Sequence, residues 1–254
     1  MSVSRETDMR HDRIDFHTHI LPGMDDGSRS PEESVSMLRM LHSDGVGTVV
    51  LTPHFYAGRD YPERFLARRA RSLASLQEHI ALCTSEVFPT LIPGAEVEYF
   101  EGITVMSELP LLRLGRTPCL LLEMPRGRWT SHMIDDILEL HNRPDIHVIL
   151  AHIERYARDQ KKETLPVLVR NGVRMQANAS FFLHRFHVKK AVRAAEHGLI
   201  HLIGSDCHNT TSRPPNIGMA FDALEKYAGA ELTAAINRRG GALLQLDSNT
   251  ADRA

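Results

Sequence analysis

The chain has 254 residues, 42% of them apolar and 24% charged, which is enough for one large α/β domain with a substantial core. Thirty basic residues against thirty-two acidic ones leave a formal net charge of -2, so there is no global electrostatic footprint for DNA, RNA or an anionic membrane, and any anion site must be local. Three scattered cysteines (Cys83, Cys119 and Cys207), no apolar run of membrane length, and an N-terminal MSVSRETDMRHDR without the apolar core of a secretion signal predict a cytoplasmic protein with no disulfide framework.

The first ten residues, MSVSRETDMR, read as a loose end. The strand run RIDFHTH follows; it carries His17 and His19 and leads into DDG with Asp25 and Asp26. SPEESVSMLRMLHSDG reads as a helix in which Ser30 caps, Pro31 takes the first helical position, Glu33 completes a capping box and Gly45 ends the element. Buried strands are then predicted at GTVVLTPH, TLIPGAEVE, CLLLEMP, IHVILAHIE, VRMQANAS and LIHLIGSDCH, with helical patterns between most of them. HNTTSRPPN is irregular, and SNTADRA is a second loose end. Seven strands alternating with helices imply right-handed βαβ units, a parallel sheet and closure into a (β/α) barrel.

The costly polar residues fall at one end of these strands. His17 and His19 end the first strand, His54 the second, Glu96 the third, Glu123 the fourth, His152 the fifth, and Asp206 with His208 the seventh. That carboxyl face is where barrel enzymes assemble their active sites. Alternation along a strand puts His17 and His19 on one face, and likewise Asp206 and His208. Five histidines with convergent carboxylates are too highly charged to bury without cations. Mixed imidazole and carboxylate donors suit Mn, Fe or Zn, and the lack of convergent thiolates argues against a structural zinc. A lone HxH carries little, and the other ten histidines (His11, His42, His79, His132, His141, His147, His184, His187, His197 and His201) read as helix, loop or surface residues.

Taken in order, DFHTHILPGMDDG, LTPH, PGAEVE, LLEMP, AHIERY and GSDCHN resemble the PHP family, named for polymerase and histidinol phosphatase. The DDG, HIERY and SDxHN elements resemble its manganese-dependent protein-tyrosine phosphatases, found with bacterial capsular and exopolysaccharide genes. The resemblance implies a distorted (β/α)7 TIM-like barrel of PHP type, one domain over residues 1–254 with its motifs in about 13–228. It implies up to three divalent ions, manganese first with iron or zinc as alternatives. His17, His19, Glu96 and Asp206 would hold one ion; Glu96, Glu123 and His152 a second; Asp26, His54 and His208 a third. Asp25 does not match the ligand pattern and is expected to hydrogen-bond its loop. Arg155 and Arg213 match the two arginines that hold substrate phosphate. Ile153 stands where a proline is common, and Cys207 where a small residue is usual; neither removes a ligand.

The chemistry expected is hydrolysis of phosphotyrosine by a hydroxide bridging two metals, with the cations and both arginines offsetting phosphoryl charge. The expected partner is the tyrosine-bearing tail of a bacterial tyrosine kinase controlling capsule or exopolysaccharide synthesis, with no nucleic acid and no membrane insertion. Three alternatives stand beside it. CHNTTSR, from Cys207 to Arg213, satisfies the C-x5-R spacing of thiolate phosphatases but lacks their phosphate-wrapping glycines. A small-molecule phosphomonoesterase, for instance on histidinol phosphate, would share the metals. A non-catalytic metal-stabilised binding regulator would lack ligands or arginines.

Overall fold

The computed structural model describes residues 12–246; the two expected loose ends, and His11, lie outside the described residues. The strands are β1 (Arg13–Thr18), β2 (Val46–Leu51), β3 (His54–Phe55), β4 (Thr90–Pro93), β5 (Glu96–Glu98), β6 (Cys119–Glu123), β7 (His147–Leu150), β8 (Arg174–Asn178) and β9 (Leu202–Gly204). Hydrogen bonding orders them β1-β2-β4 and β3-β5-β6-β7-β8-β9, and every pairing is parallel. A parallel bridge between Thr18 and Cys207 brings the segment after β9 back to β1. The sheet is therefore curled into the distorted barrel expected from seven strand runs.

The distortion has a local cause. The second and third runs are each broken in two, at Thr52–Pro53 and at Gly94–Ala95. Pro53 has no N–H for the ladder. A side chain at Gly94 would come within 2.6 Å of the Leu114 side chain. The ladder is rejoined across the breaks by Gly94 N–H to Leu51 O at 2.8 Å and Glu96 N–H to Pro53 O at 3.1 Å. The offset turns His54 and Glu96 onto the same row, where they face one another in the β3–β5 register.

The helices are α1 (Pro31–Ser43), α2 (Pro62–Ala81), α3 (Ser131–His141), α4 (Thr164–Arg170), α5 (Ala179–Leu183), α6 (Val188–Glu196), α7 (Ile217–Ala228) and α8 (Ala230–Leu244). Ser30 caps α1 by accepting from Glu33 N–H, as expected, but the Glu33 carboxylate closes on Arg29 N–H at 3.0 Å rather than on the cap itself. Between β5 and β6 the crossover is two 3-10 turns, Ile103–Val105 and Leu109–Leu112. Alternation divides the core in two. Val50, Leu121, Ile149 and Leu202 fill the barrel with Ile14 and Phe16, while Val49, Leu51, Leu120, Leu122, Val148 and Leu150 pack outward against the helices. The last helix, α8, packs so closely on β1 that a Cβ at Gly240 would sit 2.6 Å from the Phe16 ring.

Candidate active site

All nine expected ligand residues gather at the carboxyl rim of the barrel. His17 Nε2 lies 3.0 Å from Glu96 Oε2, and His19 Nε2 lies 3.4 Å from both Glu96 Oε2 and Asp206 Oδ1. His152 Nε2 is 2.9 Å from Glu96 Oε1 and 3.3 Å from Glu123 Oε1. His208 Nε2 is 3.3 Å and His54 Nε2 3.7 Å from Asp26 Oδ1. His17, His19, Glu96, His152, Asp206 and His208 are buried, whereas Asp26 is 66% exposed at the mouth.

Four of the five imidazoles share one orientation, with Nδ1 held from outside and Nε2 aimed inward. His19 Nδ1 meets Asp25 Oδ2 at 2.7 Å, His208 Nδ1 the Asp206 backbone oxygen at 2.9 Å, and His17 Nδ1 Gln176 Oε1 at 3.3 Å. These three partners only accept, so each Nδ1 carries a hydrogen, and a ring in its neutral form presents its lone pair at Nε2. The fourth, His152, has Nδ1 3.1 Å from the Tyr156 hydroxyl. His54 differs: its Nδ1 faces Glu96 Oε2 at 3.1 Å and its ring stacks on Tyr56, with centroids 5.0 Å apart.

This donor set fits a cation. The inward Nε2 atoms of His17 and His19 stand 3.1 Å apart, a repulsive approach of two lone pairs unless a positive charge is shared between them. His54 Nδ1 and His208 Nε2 are buried without a hydrogen bond of proper geometry. Donor atoms of His17, His19 and Glu96 lie within 4.8 Å of one another, as do those of His54, Glu96 and Glu123, and those of His19, Asp26, His54 and His208. Outer carboxylate, amide and carbonyl partners that fix the tautomer are the usual support of metal-ligating histidines.

The electrostatics point the same way. Burial would lift the Glu96 carboxyl, yet the His17, His152 and His19 imidazoles hold it well below the usual carboxylate range. Asp206 is likewise held down against its burial by His17, His19 and Arg155. Burial opposes the charging of His152, but its contacts with Glu123 and Glu96 carry it to about 9. Two of the expected ligand residues sit in left-handed backbone, His152 at φ 31° and Asp206 at φ 55°, a conformation non-glycine residues adopt only where the surroundings hold it. Gly27 permits the tight first loop, because a Cβ there would fall 2.1 Å from the His19 carbonyl oxygen.

Beside the cluster opens a cavity of about 510 Å3, lined by Glu96, Glu123, Arg155, Asp206 and Arg213, with Tyr56 and Arg126 among its other walls. Arg155 hydrogen-bonds Asp206 Oδ2, and Arg213 Nη2 forms an ion pair with Asp206 Oδ1 at 2.8 Å. Arg213 is placed by Asn209, whose Oδ1 accepts from the N–H groups of Thr211, Ser212 and Arg213 at 3.0, 2.8 and 3.0 Å. Cys207 points away into the apolar core at 1% exposure, and burial pushes its thiol well up. The C-x5-R spacing is thus not a phosphate loop with a ready thiolate.

Several residues were not singled out from sequence. Gln176 also accepts from His152 N–H at 2.7 Å, Asn178 Nδ2 donates to Asp206 Oδ2 at 2.7 Å, and Tyr156 holds His152. Gln176 and Asn178 did leave a signal: two amides at i and i+2 share one face of a strand and are buried on it. Asp25 hydrogen-bonds its loop through Gly27 N–H at 2.9 Å, as expected, and also fixes His19.

A family model described as capsular polysaccharide synthesis, CpsB/CapC, matches residues 13–244. Tyrosine-protein phosphatase CpsB of Streptococcus pneumoniae is 30% identical over 232 residues, 86% of this chain and 92% of the relative. Tyrosine-protein phosphatase YwqE of Bacillus subtilis (strain 168) is 30% identical over 237 residues, 91% of each. A solved structure from work on YwqE of Bacillus subtilis and CpsB of Streptococcus pneumoniae, described as unique metal-dependent tyrosine phosphatases, superposes with a TM-score of 0.80 at 26% identity over 92% of this chain and 94% of that one. The phosphotriesterase homology protein of Escherichia coli shares the fold alone, with a TM-score of 0.56 at 10% identity over 91% and 98% of the two chains.

Proposed function

Because the chain belongs to the CpsB/CapC family of capsular polysaccharide synthesis, we infer that it is a metal-dependent tyrosine-protein phosphatase. The observation that carries the reading is the set of inward-facing Nε2 atoms of His17, His19 and His152 around Glu96, beside a cavity walled in part by Arg155 and Arg213. We assign the ions to His17, His19, Glu96 and Asp206, to Glu96, Glu123 and His152, and to Asp26, His54 and His208, with manganese preferred over iron or zinc. His19 and His54 stand near enough to serve a neighbouring ion as well. Divalent cations held there supply Lewis acidity, neutralising phosphoryl charge and bringing the pKa of water from 15.7 towards about 7.

The protein's own groups do the rest. Arg155 and Arg213 converge on the same carboxylate, Asp206, so a phosphoryl dianion entering the cavity meets two planar guanidinium donors on one side. Gln176, Asp25, Asn178 and Tyr156 hold the rings and Asp206 in place, so little reorganisation accompanies reaction. A tyrosine phenolate, with a conjugate-acid pKa of about 10, leaves more readily than an alkoxide and needs less protonation. No group in the site has to serve as a strong general acid.

The natural substrate on this reading is a phosphotyrosine segment of a bacterial tyrosine kinase that controls capsule or exopolysaccharide synthesis, and residues 1–254 act as one phosphatase domain. The three free cysteines fit the cytoplasm, and no described helix is long and apolar enough to cross a membrane. The test is turnover of a phosphotyrosine peptide after chelation and readdition of Mn2+, Fe2+ or Zn2+ singly. Chelation should abolish turnover and Mn2+ should restore it best. Full activity in the stripped protein would overturn the metal assignment.

A further inference from the structure

The segment after α5 is a ridge of unpaired positive charge. No acidic residue occurs from Phe181 to Ala195, and the stretch contains Arg185, Lys189, Lys190 and Arg193. Val188, Ala191, Val192 and Ala195 of α6 face the core, which turns Lys189, Lys190 and Arg193 to solvent. Phe186 is 70% exposed, and the Arg185 guanidinium lies over its ring at 4.2 Å from the centroid. Elsewhere on the surface Arg13, Arg39, Arg143 and Arg238 each pair with a carboxylate. No carboxylate among the described residues pairs with the four cations of the ridge.

The ridge follows the wall of the catalytic cavity in the chain. Ser180, in the first turn of α5, lines that cavity, and Arg185 follows five residues later.

We propose that the ridge formed by Arg185, Phe186, Lys189 and Lys190 docks acidic side chains that flank the phosphotyrosine in a peptide substrate. The proposal rests on the phosphatase reading of the cavity. A peptide suits the ridge better than a lipid surface because the cations follow a cavity-lining residue, Ser180, in the chain, within reach of a substrate segment held at the cavity. Exposed Phe186 offers the same peptide an apolar and aromatic contact.

The test compares phosphotyrosine peptides with acidic, neutral or basic flanks and a peptide with two phosphotyrosines, on the manganese-loaded full chain and on an Arg185→Ala, Lys189→Ala, Lys190→Ala variant. The wild type should favour the acidic and doubly phosphorylated peptides over the neutral one by about fivefold in kcat/KM at low salt, as a few exposed charge pairs provide, and the preference should fade at high salt. A preference confined to the doubly phosphorylated peptide would overturn the assignment of the ridge to acidic residues. The triple variant should lose the preference and hydrolyse p-nitrophenyl phosphate at the wild-type rate. Turnover of that small ester without any flank preference, or a preference that survives in the variant, would overturn the proposal and leave the phosphatase reading intact. So would binding to phosphatidylserine–phosphatidylcholine vesicles that the variant loses while peptide preference stays unchanged, which would give the ridge to a lipid surface. No turnover of p-nitrophenyl phosphate with metal present would remove both.

Discussion

Asp25 grips His19 Nδ1 at 2.7 Å and, with the same Oδ2 atom, the backbone N–H of His54 at 2.9 Å. One carboxylate outside the expected ligand set thus orients a ring from the first strand run and the backbone of the second. Asp25→Asn keeps the shape but can offer its NH2 where an acceptor is needed, leaving the His19 tautomer unfixed. Loss of such an outer partner weakens metal affinity by about 10- to 100-fold. Competition with a chromogenic chelator measures it, and an unchanged affinity would show that the contact only braces the loop.

Arg155→Ala and Arg213→Ala should each lower kcat/KM for a phosphotyrosine peptide by about 100-fold, the usual loss for one donor aimed at developing charge. Metal content by elemental analysis should remain that of the wild type, since neither guanidinium is a ligand. Loss of metal in either variant would mean that the contacts with Asp206 serve the ion site and that the phosphate clamp is misassigned.

Cys207→Ser separates the two nucleophile hypotheses. The thiol lies in the core, so a hydroxyl there should cost about 1–3 kcal/mol of stability, read from urea melts. Metal-dependent turnover should survive. Abolished turnover with metal intact would restore the thiolate mechanism.

At the opposite end of the barrel, burial and the nearby Arg174 and Arg239 push His201 down to about 4 from its ordinary 6.5. Between those two values the unfolded chain binds more protons than the folded one. The stabilisation is therefore complete above pH 6.5 and is lost as pH falls towards 4, by up to about 3 kcal/mol. His201 Nδ1 accepts from Met175 N–H at 3.1 Å, a role an asparagine oxygen can fill. Urea melts at pH 7 and pH 4.5 should show a smaller acid loss in His201→Asn than in the wild type. Equal losses would place the acid sensitivity elsewhere.

The seven strand runs and the polar residues at their ends were legible because burial leaves an apolar signature that charged side chains interrupt only for a reason. The breaks at Pro53 and Gly94 were not, since each lies inside a run whose apolar character continues past it. Glu33 shows the limit of a motif: the residue type was right for a capping box, but the carboxylate could reach either of two neighbouring N–H groups, and the loop geometry chose Arg29. Asn209 and Tyr156 act only through chain turns or rings that the sequence places without orienting, so their roles emerge with the fold.

The barrel is closed at one place by residues of the candidate centre. His19 N–H reaches Cys207 O at 2.9 Å, and Asp206 N–H reaches His17 O at 2.8 Å, so the seam joining the first strand to the last is stitched by the backbone of Cys207 and of three residues assigned to an ion, His17, His19 and Asp206. An ion bound to side chains on both sides of that seam would act as a rivet through it. Stripping the ion should then be felt as local opening, with the amides of His19 and Asp206 exchanging hydrogen for deuterium faster while those of β6 and β7 stay protected. Metal loading in this chain would thereby set how long the two ends of the sheet remain joined, as well as whether a phosphate is cleaved.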